Sequence, residues 1–358
     1  MFLAEILKNH FRSVAIIGMA KNTGKTFTFN QLLMEGQKRG LKLALTSIGL
    51  DGEERDSLLR HKKPPITVFP GMIVATAKQL LLASRLDCEI LGTTGAFTPL
   101  GEVVVARVLS QGRIVLAGPG TGHELASLKE QLAAFDLDLL LVDGAADRRS
   151  LSAPLVTDTA VLAVGVEAAW ERRQLLAKLQ HLLTVLTLPG LTDLGALECF
   201  QAAQGETKLM VLSAAGAVHS LTRTEFAASD ACFYGSQLTE AKYVYVRGML
   251  TDAVLTKILG SAARPASFTL AASDPTAVFL GPGSLQRLAA SGIELRVLRP
   301  LHLSAVTVSP FHSRYGYAHP LRLLEDVGRL VYPVPCFDLR LGLRYVPDKE
   351  EIDAVPGC

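Results

Sequence analysis

The sequence predicts an α/β protein: a mostly parallel sheet with helices on both faces, followed by a second α/β domain. Three observations carry that expectation. The apolar run Ser13-Val14-Ala15-Ile16-Ile17 feeds a glycine-bearing turn, then a helical pattern, then a second apolar run at residues 42–46. Short β-rich runs go on alternating with helical patterns to about residue 165. These runs are apolar throughout rather than alternating, as strands buried on both faces are.

Taken in order, residues 1–8 carry an acid and a base inside an apolar spacing and read as an amphipathic helix rather than a signal peptide. The clearer strands are expected at residues 14–17, 41–46, 113–117, 137–142 and 160–164, with weaker ones at 66–69, 88–91 and 103–108. Pro70-Gly71-Met72 reads as a turn opening the next helix. A long helix is expected from residue 168 to about 186, with Trp170, Leu175, Leu176, Leu179, Leu182 and Leu183 recurring on one face. Pro189-Gly190 ends it. The domain boundary is therefore placed there, giving a nucleotide-binding domain at residues 1–188 and a partner- or substrate-recognition domain at 189–358. In the second half, strands are expected at 208–212, 243–247, 267–270, 295–298 and 305–308, and helices at 252–259, 283–291 and 321–330.

Composition narrows the function classes. A chain of 358 residues with 49% hydrophobic and 20% charged residues has ample core for two globular domains. The net charge of +2 and the lack of basic clusters interleaved with aromatics argue against a nucleic-acid partner. No apolar run reaches the ~18–20 residues that span a bilayer, so no membrane role is expected. The five cysteines are scattered and form no CxxC pair, which speaks against a disulfide framework or a zinc site and for a reducing cytoplasm.

The turn after the first strand is Gly18-Met19-Ala20-Lys21-Asn22-Thr23-Gly24-Lys25-Thr26. Strand, glycine-bearing loop ending in Gly-Lys-Thr, and helix make the context of a phosphate-binding P-loop, and the sheet is expected to be P-loop NTPase-like. Glycine lets backbone N–H groups converge on an anion, and the helix start adds the positive end of its dipole. Lys25 is placed to reach the terminal phosphates of ATP and Thr26 to ligate Mg2+. The common pattern puts glycine at position 19, which is Met19 here; the nearest glycine, Gly18, is one residue off register. Asn22 and Thr23 are small and polar enough for a tight turn, and Lys21 is a second candidate phosphate contact.

A P-loop site holds its metal through an acid at the end of a neighbouring strand. Leu139-Leu140-Leu141-Val142-Asp143-Gly144 has that form, which makes Asp143 the metal-side candidate, with Asp147 and Arg148 following. Asp51, Glu53 and Asp56 leave the second strand, where Asp51 or Glu53 is placed to sense the γ-phosphate. Gly92-Thr93-Thr94-Gly95 and the 117–123 segment, with His123, are expected to leave strand ends and line the pocket. The aromatic- and histidine-rich stretch at residues 309–320 reads as a recognition loop.

Residues 16–26, Ser47-Ile48-Gly49-Leu50-Asp51-Gly52-Glu53, Val142-Asp143-Gly144-Ala145-Ala146-Asp147-Arg148 and the 309–317 loop together resemble the small, P-loop subunit of the lysine 5,6-aminomutase reactivases. The resemblance implies a cytoplasmic, chaperone-like subunit that binds ATP and Mg2+. It also implies a MutS-like partner ATPase and, as client, an adenosylcobalamin- and pyridoxal-phosphate-dependent aminomutase. The family's own loop is irregular, in keeping with Met19. Weak intrinsic ATP turnover, stimulated by the partner, is expected. Whether the chain forms a homo-oligomer is left open by the sequence.

The first half also resembles dethiobiotin synthetase and related ATP-dependent ligases. That alternative makes the chain a small-molecule ligase or kinase, with Thr93, Thr94 and His123 addressing a carboxylate or amine substrate. A third alternative is a binding module whose P-loop has lost its function.

Overall fold

The computed structural model describes residues 2–48, 65–144, 156–203, 205–228, 238–260, 268–347 and 352–354. It divides into two compact units, one of residues 1–180 and 302–358, the other of residues 181–301.

The first unit is built on a large, mostly parallel sheet. Among the described residues it has eleven strands, and Ser13–Gly18 lies near its middle. Leu139–Asp143 and Thr159–Gly165 pair with this strand in parallel on its two sides. Leu43–Ser47 and Ile73–Ala77 extend the parallel run beyond the first neighbour. Leu303–Ser309 and Cys336–Asp338 extend it beyond the second. Antiparallel strands close both edges.

Val14, Ala15, Ile16 and Ile17 are each at most 1% exposed, as continuous apolar composition requires of a strand covered on both faces. The helix Lys25–Lys38 puts Phe29, Leu32 and Leu33, spaced along one helical face, into the same core. The helix Phe2–Leu7 adds Phe2, Leu3 and Ile6, fulfilling the amphipathic expectation for the first residues. Among the described residues no helix is long and apolar enough to cross a membrane.

The second unit has its own five-stranded sheet, in the order Val218–Thr222, Thr207–Ser213, Ala241–Val246, Thr269–Ala272, Glu294–Val297. Its core gathers Val244, Val246, Leu255, Leu270, Leu288 and Val297. Asp193 caps the helix Leu194–Gln201 by accepting the Ala196 N–H, and also accepts from Lys242 and Tyr243. The Lys242 ammonium and these N–H and O–H donors hold its carboxyl down at about 2.

Several expectations are corrected. The stretch from residue 302 onward, assigned above to a second domain beginning at 189, belongs to the first unit. Its strand Leu303–Ser309 pairs with Thr159–Gly165, a long-range pairing that local pattern does not encode. The 70–72 turn opens the strand Ile73–Ala77, and the helix Lys78–Ser84 follows only afterwards. The 92–95 stretch does not leave a strand; it lies inside the long edge strand Cys88–Thr98. Of the expected strand at 113–117, only Gly112–Ile114 pairs, with Ile66–Val68 in a separate two-stranded sheet.

Candidate functional site

Parallel strands bring their carboxyl ends to one edge, and ligands of open α/β sheets bind there. In the first unit that edge gathers Gly18, Ser47, Asp143, Gly165 and Ser309, each the last residue of its strand.

The loop from Gly18 to Gly24 is shaped by close approaches. Met19, where the common pattern has glycine, donates its N–H to the Ala163 carbonyl at 3.2 Å and so prolongs the strand pairing. The glycine the loop needs is Gly18. A β-carbon there would stand 2.7 Å from Thr23 Oγ1 and 2.9 Å from Lys25 Cγ, because the Lys25 side chain runs back over it. On the far side, a β-carbon on Gly165 would stand 2.7 Å from Thr23 Cα. Asn22 (φ 61°) and Gly24 (φ 99°) take left-handed backbone, and Thr23, 1% exposed, donates its hydroxyl to the Ala20 carbonyl at 3.0 Å. Asparagine and glycine are the residues that tolerate that region.

Gly24 caps the helix without a side-chain hydrogen bond, so no side chain competes for the N–H groups of the first turn through the usual cap. Lys25 crosses to the end of the neighbouring strand, where its Nζ donates to the Gly144 carbonyl at 2.8 Å. That places its ammonium beside Asp143, which is 5% exposed and in register with Ile16 and Ser47. A β-carbon on Gly144 would meet the Ile16 carbonyl oxygen at 2.8 Å, so glycine is required there for the two strand ends to close. Thr26 sits half-buried in the first helical turn, and Lys21 is exposed on the loop. Thr28, two residues further along the helix, shares a 2.9 Å hydrogen bond with Thr307 of the strand Leu303–Ser309.

Thus Gly18, Thr23, Gly24, Lys25 and the Asp143-Gly144 strand end are brought together. Asp51, Glu53, Asp56, Asp147 and Arg148 lie outside the described residues. Thr93 and Thr94 are not brought in. Their edge strand is five strand spacings from Ser13–Gly18, roughly 24 Å at the usual inter-strand distance. His123 lies exposed in the first turn of the helix Gly122–Leu132, whose N-terminus is closed by a Thr121–Glu124 capping box. Among the described residues no three His, Cys, Asp or Glu side chains gather as a metal cage. A magnesium ion held by a hydroxyl, one carboxylate, phosphates and water needs no such cage.

Sequence reasoning passed over Glu167, which ties the glycine loop to the recognition loop. It follows Gly165 by two residues, and its carboxylate accepts the Ser313 N–H at 2.8 Å and the Ser313 hydroxyl at 2.6 Å. The Asn22 side chain stands near enough to the same carboxylate to favour its ionised form. Its position just past a buried strand end was the available signal. The Ser313 hydroxyl and N–H hold the Glu167 carboxyl below its ordinary value against the opposing effect of burial, with help from His312 and Asn22.

A depressed carboxylate contributes stability that is present above its unfolded pKa of about 4.3 and lost as pH falls through the lower folded value. The anchor is therefore expected to release below about pH 4.3. Fluorescence of Trp170, the sole tryptophan, should report a transition in that acid range. Glu167→Gln should remove it.

Around this anchor the strands Phe311–His312 and Gly316–Tyr317 form a short hairpin. His312 Nδ1 accepts the N–H groups of Arg314 and Tyr315. The His312, Tyr315 and Trp170 rings lie 4.7–5.7 Å apart.

A helix start without a side-chain cap, a lysine crossing a tight glycine turn, and a buried aspartate on the adjacent parallel strand meet at this one edge of the sheet. Comparison with protein-family models and with curated proteins finds no match to either.

Proposed function

We propose that the first unit binds Mg-ATP at the carboxyl edge of its sheet. The observation that carries this is the loop itself, in which Lys25 folds back over Gly18 and reaches the Asp143-Gly144 strand end. Gly18, Asn22, Thr23, Gly24 and Lys25 with Thr26 would surround the phosphates, Lys21 would stand at the rim, and Thr26 and Asp143 would hold Mg2+. Bound magnesium neutralises charge between the terminal phosphates. The chain's own part is to aim N–H groups and one ammonium at the anion and to keep the aspartate out of bulk water.

The resemblance in the sequence carries the proposal further. The chain acts as a chaperone-like reactivase subunit, with a partner ATPase, on a cobalamin- and pyridoxal-phosphate-dependent aminomutase. Its own ATP turnover is then slow and rises when the partner is added. The ligase alternative loses support from the remote position of Thr93 and Thr94. Metabolite-dependent ADP release without any protein partner would restore it.

Isothermal titration with Mg-ATP tests the site, and co-purification of the partner ATPase and mutase with and without ATP tests the role. Absence of any Mg-ATP binding would overturn both. Gly165→Ala provides an internal check. The new methyl must push Thr23 backbone aside, so overpacking of about 1–3 kcal/mol is expected to fall on the loop. Mg-ATP affinity should drop, while the melting temperature without ligand falls only modestly. An unchanged affinity would show that the loop's shape is not used.

A further inference from the structure

We propose that the aromatic surface of Trp170 and Tyr315 is the nucleobase-binding face of the same site; this rests on the phosphate-loop reading above. Four observations carry it.

The first is exposure. Trp170 is 38% and Tyr315 52% exposed, although both are large rings that cores normally take in. The second is order. Trp170 packs at 5.2 Å from Tyr315 and 5.7 Å edge-on to His312, and the Arg314 guanidinium lies 5.5 Å over Tyr315. His312, which accepts the Arg314 and Tyr315 N–H groups, and Glu167, which accepts the Ser313 N–H and hydroxyl, hold the turn in place.

The third is position. Gly165 lies close against Thr23 of the glycine loop, and two residues on Glu167 holds Ser313 of that turn, with the Asn22 side chain near the same carboxylate. Trp170 lies three residues past Glu167, which bounds their separation at about 11 Å along the chain. A nucleotide whose phosphates sit in the loop can thus set its base on these rings. The fourth is chemistry. An exposed, preorganised π surface with a guanidinium beside it is what a base stacks on, and such stacking tolerates any base because every base has a π face. The path from Thr23 through Gly165 and Glu167 to Ser313 would then be the link that fixes the base platform relative to the phosphate loop.

The test uses the full chain and two ligands, Mg-ATP and magnesium tripolyphosphate, read by calorimetry and by the fluorescence of the single tryptophan. In the wild type, ATP should quench Trp170 and bind more tightly than tripolyphosphate, which should bind without that quench. Trp170→Ala and Tyr315→Ala should each weaken ATP by about 5- to 150-fold and leave tripolyphosphate affinity unchanged. Trp170→Phe, which keeps a π face, should recover most of the loss. Both rings are partly exposed, so the two alanine variants are independent safeguards against a folding defect. If the wild type binds both ligands and both alanine variants keep full ATP affinity, this proposal falls and the phosphate loop stands. If the wild type binds neither ligand, the phosphate-loop reading falls and takes this one with it.

Discussion

Lys25→Ala is expected to abolish most Mg-ATP binding while leaving the fold in place. The side chain is half-buried, and its Nζ donates to the Gly144 carbonyl. The side chain reaches solvent in part, so its removal does not empty a fully buried core position. What is lost is an ammonium held at the Asp143-Gly144 strand end, next to a helix whose cap supplies no competing side chain. Hydrogen bonds to charged groups contribute roughly 1.5–3 kcal/mol each. A single such bond accounts for about 10- to 150-fold in affinity. Lys25→Arg should not rescue fully, because a planar fork does not replace a compact point charge in a tight turn. Calorimetric titration, with melting temperature as the control for folding, decides the matter. Wild-type affinity in Lys25→Ala would remove the basis for calling this loop a nucleotide site.

Phe337→Ala is expected to destabilise the first unit by about 3–5 kcal/mol, the usual cost of emptying a buried phenylalanine site. Phe337 is 1% exposed and meets Phe2 edge-to-face at 5.2 Å. It shares one core with Phe29, Leu141 and Val161, from far earlier in the chain. Trp170 belongs to the same unit, so its fluorescence reports the unfolding of that unit directly. Deleting residues 302–358 should have the larger effect, since it strips the strand Leu303–Ser309 from the Thr159–Gly165 edge and leaves unpaired N–H and C=O groups beside an apolar strand. The unit at residues 181–301 has its own core and should keep its transition in the Phe337→Ala variant. A Phe337→Ala chain whose Trp170 transition is unmoved would contradict this assignment of the C-terminal segment.

Much of the first unit was legible in advance because its strands are buried on both faces. Val14 to Ile17, Leu139 to Val142 and Ala160 to Val164 need no partner information to be recognised as apolar runs. Ile73–Ala77 escaped notice because Pro70-Gly71 ahead of it signals a turn without saying what the turn opens. The edge strand Cys88–Thr98 was cut short because Gly92 and Gly95 interrupt its pattern, and an edge strand with solvent on one side tolerates such residues. Within the site, Gly18, Thr23, Gly24, Lys25 and Asp143 were named from spacing alone. Glu167 was not, because its partner Ser313 lies 146 residues further along the chain.

From the sequence alone came the strand, the glycine turn, the helix and the acid-ended neighbouring strand, since each follows from local composition and period. The tertiary structure decided why residue 18 must be glycine, because only the path of the Lys25 side chain shows where a β-carbon cannot go. It also decided that the chain leaves the first unit and returns to it. Strand pairing between Leu303–Ser309 and Thr159–Gly165 depends on hydrogen bonds between distant segments, and local pattern is blind to those.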